Sequence, residues 1–160
     1  MPDVHATLSA SGSKRWLSCP PSAVLEKHFP DHARVFAEEG TYAHSVAEHI
    51  LHGYLTDTNP EIDASSEYYS PELMDYVNEY TDVVIEKINA ARATDKAAVA
   101  MVEERLDFSD WVPGGFGTGD AVIISDGILE IVDLKYGKGV PVPAEGNTQM
   151  QLYALGAISS

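Results

Sequence analysis

The chain has 160 residues, enough for one domain with one hydrophobic core. Its apolar share of 44% and charged share of 22% are those of an ordinary globular protein. Acidic residues (25) outnumber basic ones (10), and the net charge of −15 argues against a surface that grips phosphate at many points.

Met1 to Thr7 lacks the basic and apolar regions of a signal peptide, and no later apolar run approaches the roughly 20 residues that cross a bilayer. The expectation is a cytoplasmic protein with no membrane partner. Residues 9–29 read as short helical turns, with Ser11 and Ser13 as N-caps and Pro20-Pro21 before a second turn over 22–28. Lys14, Arg15 and Trp16 could grip phosphate and stack a base. An amphipathic turn with Trp16 and Leu17 buried is the plainer reading. Cys19 is the single cysteine, which excludes an internal disulfide and a cysteine-built zinc or iron–sulfur centre within this chain. It reads as a small packed residue.

Residues 41–55 form the next predicted helix, with Thr41 as cap and Val46, Ala47, Ile50 and Leu51 as its apolar stripe. His44 and His49 invite comparison with zinc peptidases. Five residues apart, they sit about 140° around a helix and cannot face one ion. Residues 56–69 read as a polar loop. A helix is predicted from Pro71 to Ala93, capped by Ser70, with Leu73, Tyr76, Val77, Tyr80, Val84 and Ile88 on its apolar face. A strand follows over Ala97–Leu106, in which at most one of the neighbours Glu103 and Glu104 can join a site on one face. The loop from Pro113 to Gly119 holds four glycines, which would let a phosphodiester backbone approach closely.

Ala121–Ser125 and Ile128–Leu134 flank Asp126-Gly127, a pair that favours a two-residue type I′ turn. With that turn, Ser125 faces Ile128, and counting back places Asp120 opposite Asp133. Directly opposed side chains have Cβ atoms about 4.5–5.5 Å apart. Two carboxylates so placed repel unless a cation lies between them or one is protonated. A hard divalent ion suits them, and Lys135 shares their face. Asp-x-Lys alone is a common solvated pattern; the opposed pair and the apolar Val122, Ile124 and Ile131 around it argue for a site. A last helix is predicted from Gly146 to about Ile158. Helices, three strands and a helix make an α/β (α+β) domain.

The segments GTGDAVII, EIVDLKYGKG and QMQLY, with Gly40-Thr41-Tyr42-Ala43-His44 upstream, resemble the RecB-like branch of the PD-(D/E)XK nucleases. That branch includes the RecB and AddB nuclease domains, the CRISPR adaptation nucleases and many phage proteins. The run SASGSKRWLSCPPS is similar to the opening of phage-type members. The resemblance implies a restriction-endonuclease-like core, a mixed sheet whose β-hairpin carries the active site between flanking helices. It implies that His44, Asp120 and Asp133, with the Leu134 carbonyl, ligate Mg²⁺ or Mn²⁺. It implies that Asp120, Asp133 and Lys135 are catalytic, Lys135 acting on the attacking water and the phosphoryl charge. Gln149 and Tyr153, four apart on one helical face, would reach substrate or the metal's surroundings. Further phosphate contacts fall to Lys14, Arg15 and Lys138.

The third-strand acid is Asp133 where the family more often has Glu, and the family core has a further strand after the Q-x-x-x-Y helix. The expected organisation is therefore one domain, 1–160, truncated at its C-terminus: a helical part 9–95, the catalytic hairpin 97–135 and the Q-x-x-x-Y helix 146–158. The implied function is hydrolysis of DNA phosphodiesters, in exonuclease or end-processing work of phage or bacterial recombination or replication. DNA and a recombination or replication protein are the implied partners. The competing reading is a non-cleaving DNA- or protein-binding module on the same fold, favoured by the net charge and the missing strand. A third is an acidic interaction protein that holds a metal for structure only.

Overall fold

A computed structural model of the chain describes residues 6–29, 34–137 and 141–159. The elements are α1 (Ser13–Ser18), α2 (Ser22–Leu25) running into a 3₁₀ turn (Glu26–His28), α3 (Arg34–Thr56), α4 (Pro71–Thr94), β1 (Val99–Asp107), β2 (Phe116–Ser125), β3 (Ile128–Val132) and α5 (Thr148–Ser159). The three strands form one sheet in the order β1-β2-β3, and β2 pairs with β3 antiparallel. The architecture is mixed α and β. The chain divides into two compact units, Met1–His32 with Glu104–Gly119 and Val140–Ser160, and Ala33–Glu103 with Asp120–Gly139. None of the helices among the described residues is long and apolar enough to cross a membrane.

In the second unit, α4 begins as its sequence dictates: Pro71 occupies its first position, and the Ser70 side chain accepts a hydrogen bond from the Leu73 amide at 3.1 Å. Leu73, Val77, Val84 and Ile88 are buried along one face. They pack against α3 through Ala43, Val46, Ala47 and Leu51, against the sheet through Val102, Ala121 and Ile123, and against Leu134 just past β3. Tyr76, expected on that face, is 54% exposed. Helix α3 starts seven residues before the expected cap. Thr41 lies inside it, with its hydroxyl donating to the Ala37 carbonyl at 2.8 Å, as threonine does within helices.

The hairpin register is the expected one, from Ser125↔Ile128 to Ala121↔Val132. Asp126 and Gly127 both have positive φ (46° and 74°), as a type I′ turn requires. The Asp126 amide donates to Asp95 Oδ2 at 2.9 Å, and Lys87 Nζ lies 2.6 Å from Glu130 Oε1, so the C-terminal part of α4 and its C-cap hold the hairpin.

The first unit gathers α1, α2, α5 and the segment between β1 and β2. Helix α1 is capped by Gly12 without a side-chain bond; the Ser13 hydroxyl is instead buried 2.6 Å from that of Thr148. Leu17 is 55% exposed and Cys19 is exposed, so neither is packed as expected. The α1 turn is too short to have a second buried face, and Trp16 is tied by its indole N–H to the Ser9 carbonyl. Two of the glycines after Pro113 serve aromatic packing: a Cβ on Gly115 would lie 2.5 Å from the Phe108 ring, and one on Gly117 2.7 Å from Tyr153. Two of the four, Gly117 and Gly119, lie within β2 and not in a loop.

Gly156, inside α5, lies against β1; a Cβ there would come within 2.9 Å of the Leu106 Cβ and 3.1 Å of its carbonyl carbon. Alanine gains about 1 kcal/mol of helix propensity over glycine. Overpacking costs about 1–3 kcal/mol, and here backbone is struck. Gly156→Ala is therefore expected to destabilise the protein in urea denaturation, against the sign that propensity alone predicts.

Candidate metal centre

The second unit brings one ligand atom each from His44, Glu103 and Asp120 within 4.8 Å of one another. His44 sits on α3 beside the buried stripe, and its Nδ1 lies 3.3 Å from Asp120 Oδ1 and 4.0 Å from Glu103 Oε1. Donors bound to a single divalent cation at about 2.1–2.4 Å lie roughly 3–4.8 Å apart. The spacing and the donor chemistry, one imidazole and two carboxylates, fit such an ion. Imidazole suits Mn²⁺ better than Mg²⁺, which favours oxygen throughout.

Asp120 is 7% exposed. Its Oδ2 accepts the Leu134 amide at 2.6 Å while Oδ1 faces His44. The β2–β3 ladder ends at Ala121↔Val132, one step before Asp120 and Asp133. Asp133 stands outside the three-residue cluster, with its Oδ2 2.6 Å from Lys135 Nζ. The amide of Leu134 fixes Asp120. His49 is exposed, and its Nδ1 lies 2.6 Å from the Ser45 carbonyl, outside the cluster, in keeping with the helical spacing.

The electrostatics follow from packing four ionisable groups together in partial burial. Desolvation, then the charge of Asp120, pushes Glu103 up to about 7. Burial and then Asp120 raise Asp133, against the pull of Lys135. The hydrogen bond to Asp120 raises His44 against its own desolvation. Tyr80, whose hydroxyl donates to the Val132 carbonyl at 3.3 Å, is pushed up by burial and by Asp120 and Asp133 and stays neutral.

Glu103 was not singled out by sequence, because strand alternation leaves open whether it or Glu104 faces the site. The signal is conformational: Glu103 has φ 51°, a left-handed backbone within β1. For a residue with a Cβ this costs of order 1–3 kcal/mol and persists only where the surroundings enforce it, which is why such residues collect at functional sites.

In the first unit, Gln149 and Tyr153 share one face of α5, as their spacing requires, and the Gln149 amide donates to the Tyr153 hydroxyl at 3.2 Å. Tyr153 is 5% exposed, its ring against Gly117. Lys14 and Arg15 are exposed on α1, and Arg15 Nε pairs with Glu26 at 2.7 Å. Lys138 lies outside the described residues.

The family described as "Protein of unknown function (DUF2800)" matches residues 5–160. The chain belongs to this family. No solved structure matches it. Among the described residues of this DUF2800 chain, the set of three metal-ligating groups includes the left-handed residue of β1.

Two outcomes follow for the metal-free protein. His44, Glu103 and Asp133 all have raised folded-state pKa values. Each contributes stability present below its unfolded value and lost as pH rises through the folded one. Glu103 sets the window, 4.5 to about 7, so the melting temperature should fall as pH rises from about 5 to about 8. Asp120→Asn, which removes the charge common to all three, should flatten that slope. Glu103→Gly, in turn, should raise metal-free stability by about 1 kcal/mol in denaturant titration, because glycine adopts this φ without strain. The same variant should reduce the rise in melting temperature that Mn²⁺ gives the wild type.

Proposed function

We propose that the chain is a Mg²⁺- or Mn²⁺-dependent deoxyribonuclease that hydrolyses phosphodiester bonds. The observation that carries the reading is the convergence of His44, Glu103 and Asp120 beside the Asp133–Lys135 pair at the end of the hairpin. The resemblance of GTGDAVII and EIVDLKYGKG to RecB-like PD-(D/E)XK nucleases supports it.

In this reading His44, Glu103 and Asp120 hold the cation. Bound there, it supplies Lewis-acid charge to a phosphoryl oxygen and makes water a stronger nucleophile at neutral pH. Asp120 is held rigid by the Leu134 amide, so it meets the ion without reorganising. Asp133 holds Lys135 by their ion pair, which aims the ammonium at the attacking water or at the charge that develops on phosphate. Lys135 is half exposed, so its ammonium meets solvent and substrate while it stays paired with the buried Asp133 carboxylate. Gln149 and Tyr153 enter as substrate contacts from the resemblance, and Lys14, Arg15 and Lys138 from their charge. The proposed setting is the cytoplasm of a bacterial or phage-infected cell, in exonuclease or end-processing work of recombination or replication. A non-cleaving module is the second reading, and the net charge of −15 favours it.

The test combines Mn²⁺ titration calorimetry with cleavage of single-stranded, duplex and flap DNA. Asp120→Asn and Glu103→Gln should each weaken Mn²⁺ binding at least about tenfold. Lys135→Ala should slow single-turnover cleavage by about 10²-fold or more at saturating metal, with metal affinity nearly unchanged. Intact metal binding without cleavage of any of the three DNAs would select the non-cleaving module. Equal Mn²⁺ affinity in wild type and Asp120→Asn would remove the metal centre itself.

A further inference from the structure

We propose that the groove beside Lys135 docks an arginine-bearing segment of a basic partner protein, independently of whether the metal centre cleaves DNA. The groove lies within the second unit, encloses about 660 Å³, and is lined by Glu39, Glu72, Tyr76, Glu79, Lys135 and Tyr136 among others. Glu72, Tyr76 and Glu79 stand at i, i+4 and i+7 on α4, so they form one ridge. That ridge is separate from the face carrying Leu73, Val77, Val84 and Ile88 into the core.

Tyr76 is 54% exposed although its helical spacing suits a core residue. It is not a stray side chain. Its ring meets the Tyr136 ring edge-on at 6.2 Å, and the Tyr136 hydroxyl donates to Glu39 Oε1 at 3.1 Å. The two rings and a carboxylate are thus held in a fixed arrangement before anything binds. Burial, the bond to Glu39 and the charges of Glu39 and Glu72 push the Tyr136 hydroxyl pKa up, so the ring stays neutral.

Three carboxylates face Lys135, the one cationic side chain among the described residues lining the groove, and its Nζ lies 2.6 Å from Asp133. Such a field is negative on the α4 side of the groove. It attracts a cation, and the aromatic faces choose which one. Guanidinium stacks on a neutral aromatic ring and binds carboxylates through two parallel N–H bonds, and it is more weakly hydrated than ammonium. The carboxylates on the α4 ridge, on either side of Tyr76, offer that combination to an arginine laid over the ring. The net charge of −15 draws a basic partner from a distance.

The experiment is a heteronuclear NMR titration of the whole chain with acetylated, amidated hexa-arginine at physiological salt. The Tyr76 and Tyr136 resonances should shift first, and hexalysine should bind more weakly. Combining Tyr76→Ala with Glu72→Gln and Glu79→Gln should weaken hexa-arginine binding about tenfold, the size of a hot-spot loss. Asp82→Asn with Glu86→Gln removes as many carboxylates from exposed positions of α4 outside the groove. It should change binding less than about twofold. Tyr76→Leu, which keeps apolar surface but removes the ring face, gives a second measure and should also weaken binding. Equal weakening by the groove variant and the Asp82/Glu86 variant would show diffuse attraction to an acidic surface and overturn the proposal. So would absence of hexa-arginine binding, or a thymidine oligonucleotide moving the Tyr76 and Tyr136 resonances where hexa-arginine does not.

Discussion

A carboxylate that is almost out of water has to be held by partners, and Asp120 is the point about which the second unit is arranged. Desolvating an ionised carboxylate costs several kcal/mol unless hydrogen bonds and opposite charge replace the lost water. Asp120 has the Leu134 amide on one oxygen and His44 on the other. Each partner is placed by an element that exists for another reason. Leu134 is buried against α3 and α4, and His44 follows Ala43 of the packed α3 stripe. Packing fixes the partners and the partners hold the charge; burial and then that charge raise Glu103 and Asp133, and the hydrogen bond to Asp120 raises His44.

Much of this was legible from residue order, and what was not has identifiable physical causes. The Ser70-Pro71 start of α4 and the Asp126-Gly127 turn are local, and the turn set the register that brings Asp120 toward the Asp133 end of β3. His44 and Asp120 were legible as site residues through the hairpin and the upstream Gly-Thr-x-x-His segment. Glu103 was hidden, because a left-handed residue breaks the alternation on which face assignment rests. The start of α3 was misplaced because Gly40 and Thr41 resemble a helix boundary, yet Thr41 bonds back into the helix. The roles of Gly115, Gly117 and Gly156 depend on Phe108, Tyr153 and Leu106; for Gly117 and Gly156 the partner is far off in sequence, and no local pattern shows it. Tyr76 fits a core periodicity and lies outside it, since an aromatic ring suits a groove wall as well as a core.

The uneven use of charge in the second unit follows from the same constraint. Lys135 and Lys87 are each committed to a carboxylate, Asp133 and Glu130. The surplus of acid therefore gathers along the groove, where Glu72 and Glu79 face solvent and the half-buried Glu39 holds Tyr136. Concentrating negative potential there, next to a centre that gathers three potential ligands, separates two cation-seeking surfaces by chemistry. One is small, partly buried and suited to a compact ion; the other is open, aromatic and suited to a flat, delocalised charge.

The backbone leaves the second unit after Glu103 and returns at Asp120. Two of the three clustered side chains therefore stand at the mouth of a single excursion, residues 104–119. An ion shared by Glu103 and Asp120 would close that mouth as a clasp closes a loop of cord. The excursion itself ends in strand on both sides and carries the fully buried Leu106 and Phe108, so packing holds it along its length while the clasp would fix its two ends, one of them a residue in a conformation proteins seldom tolerate.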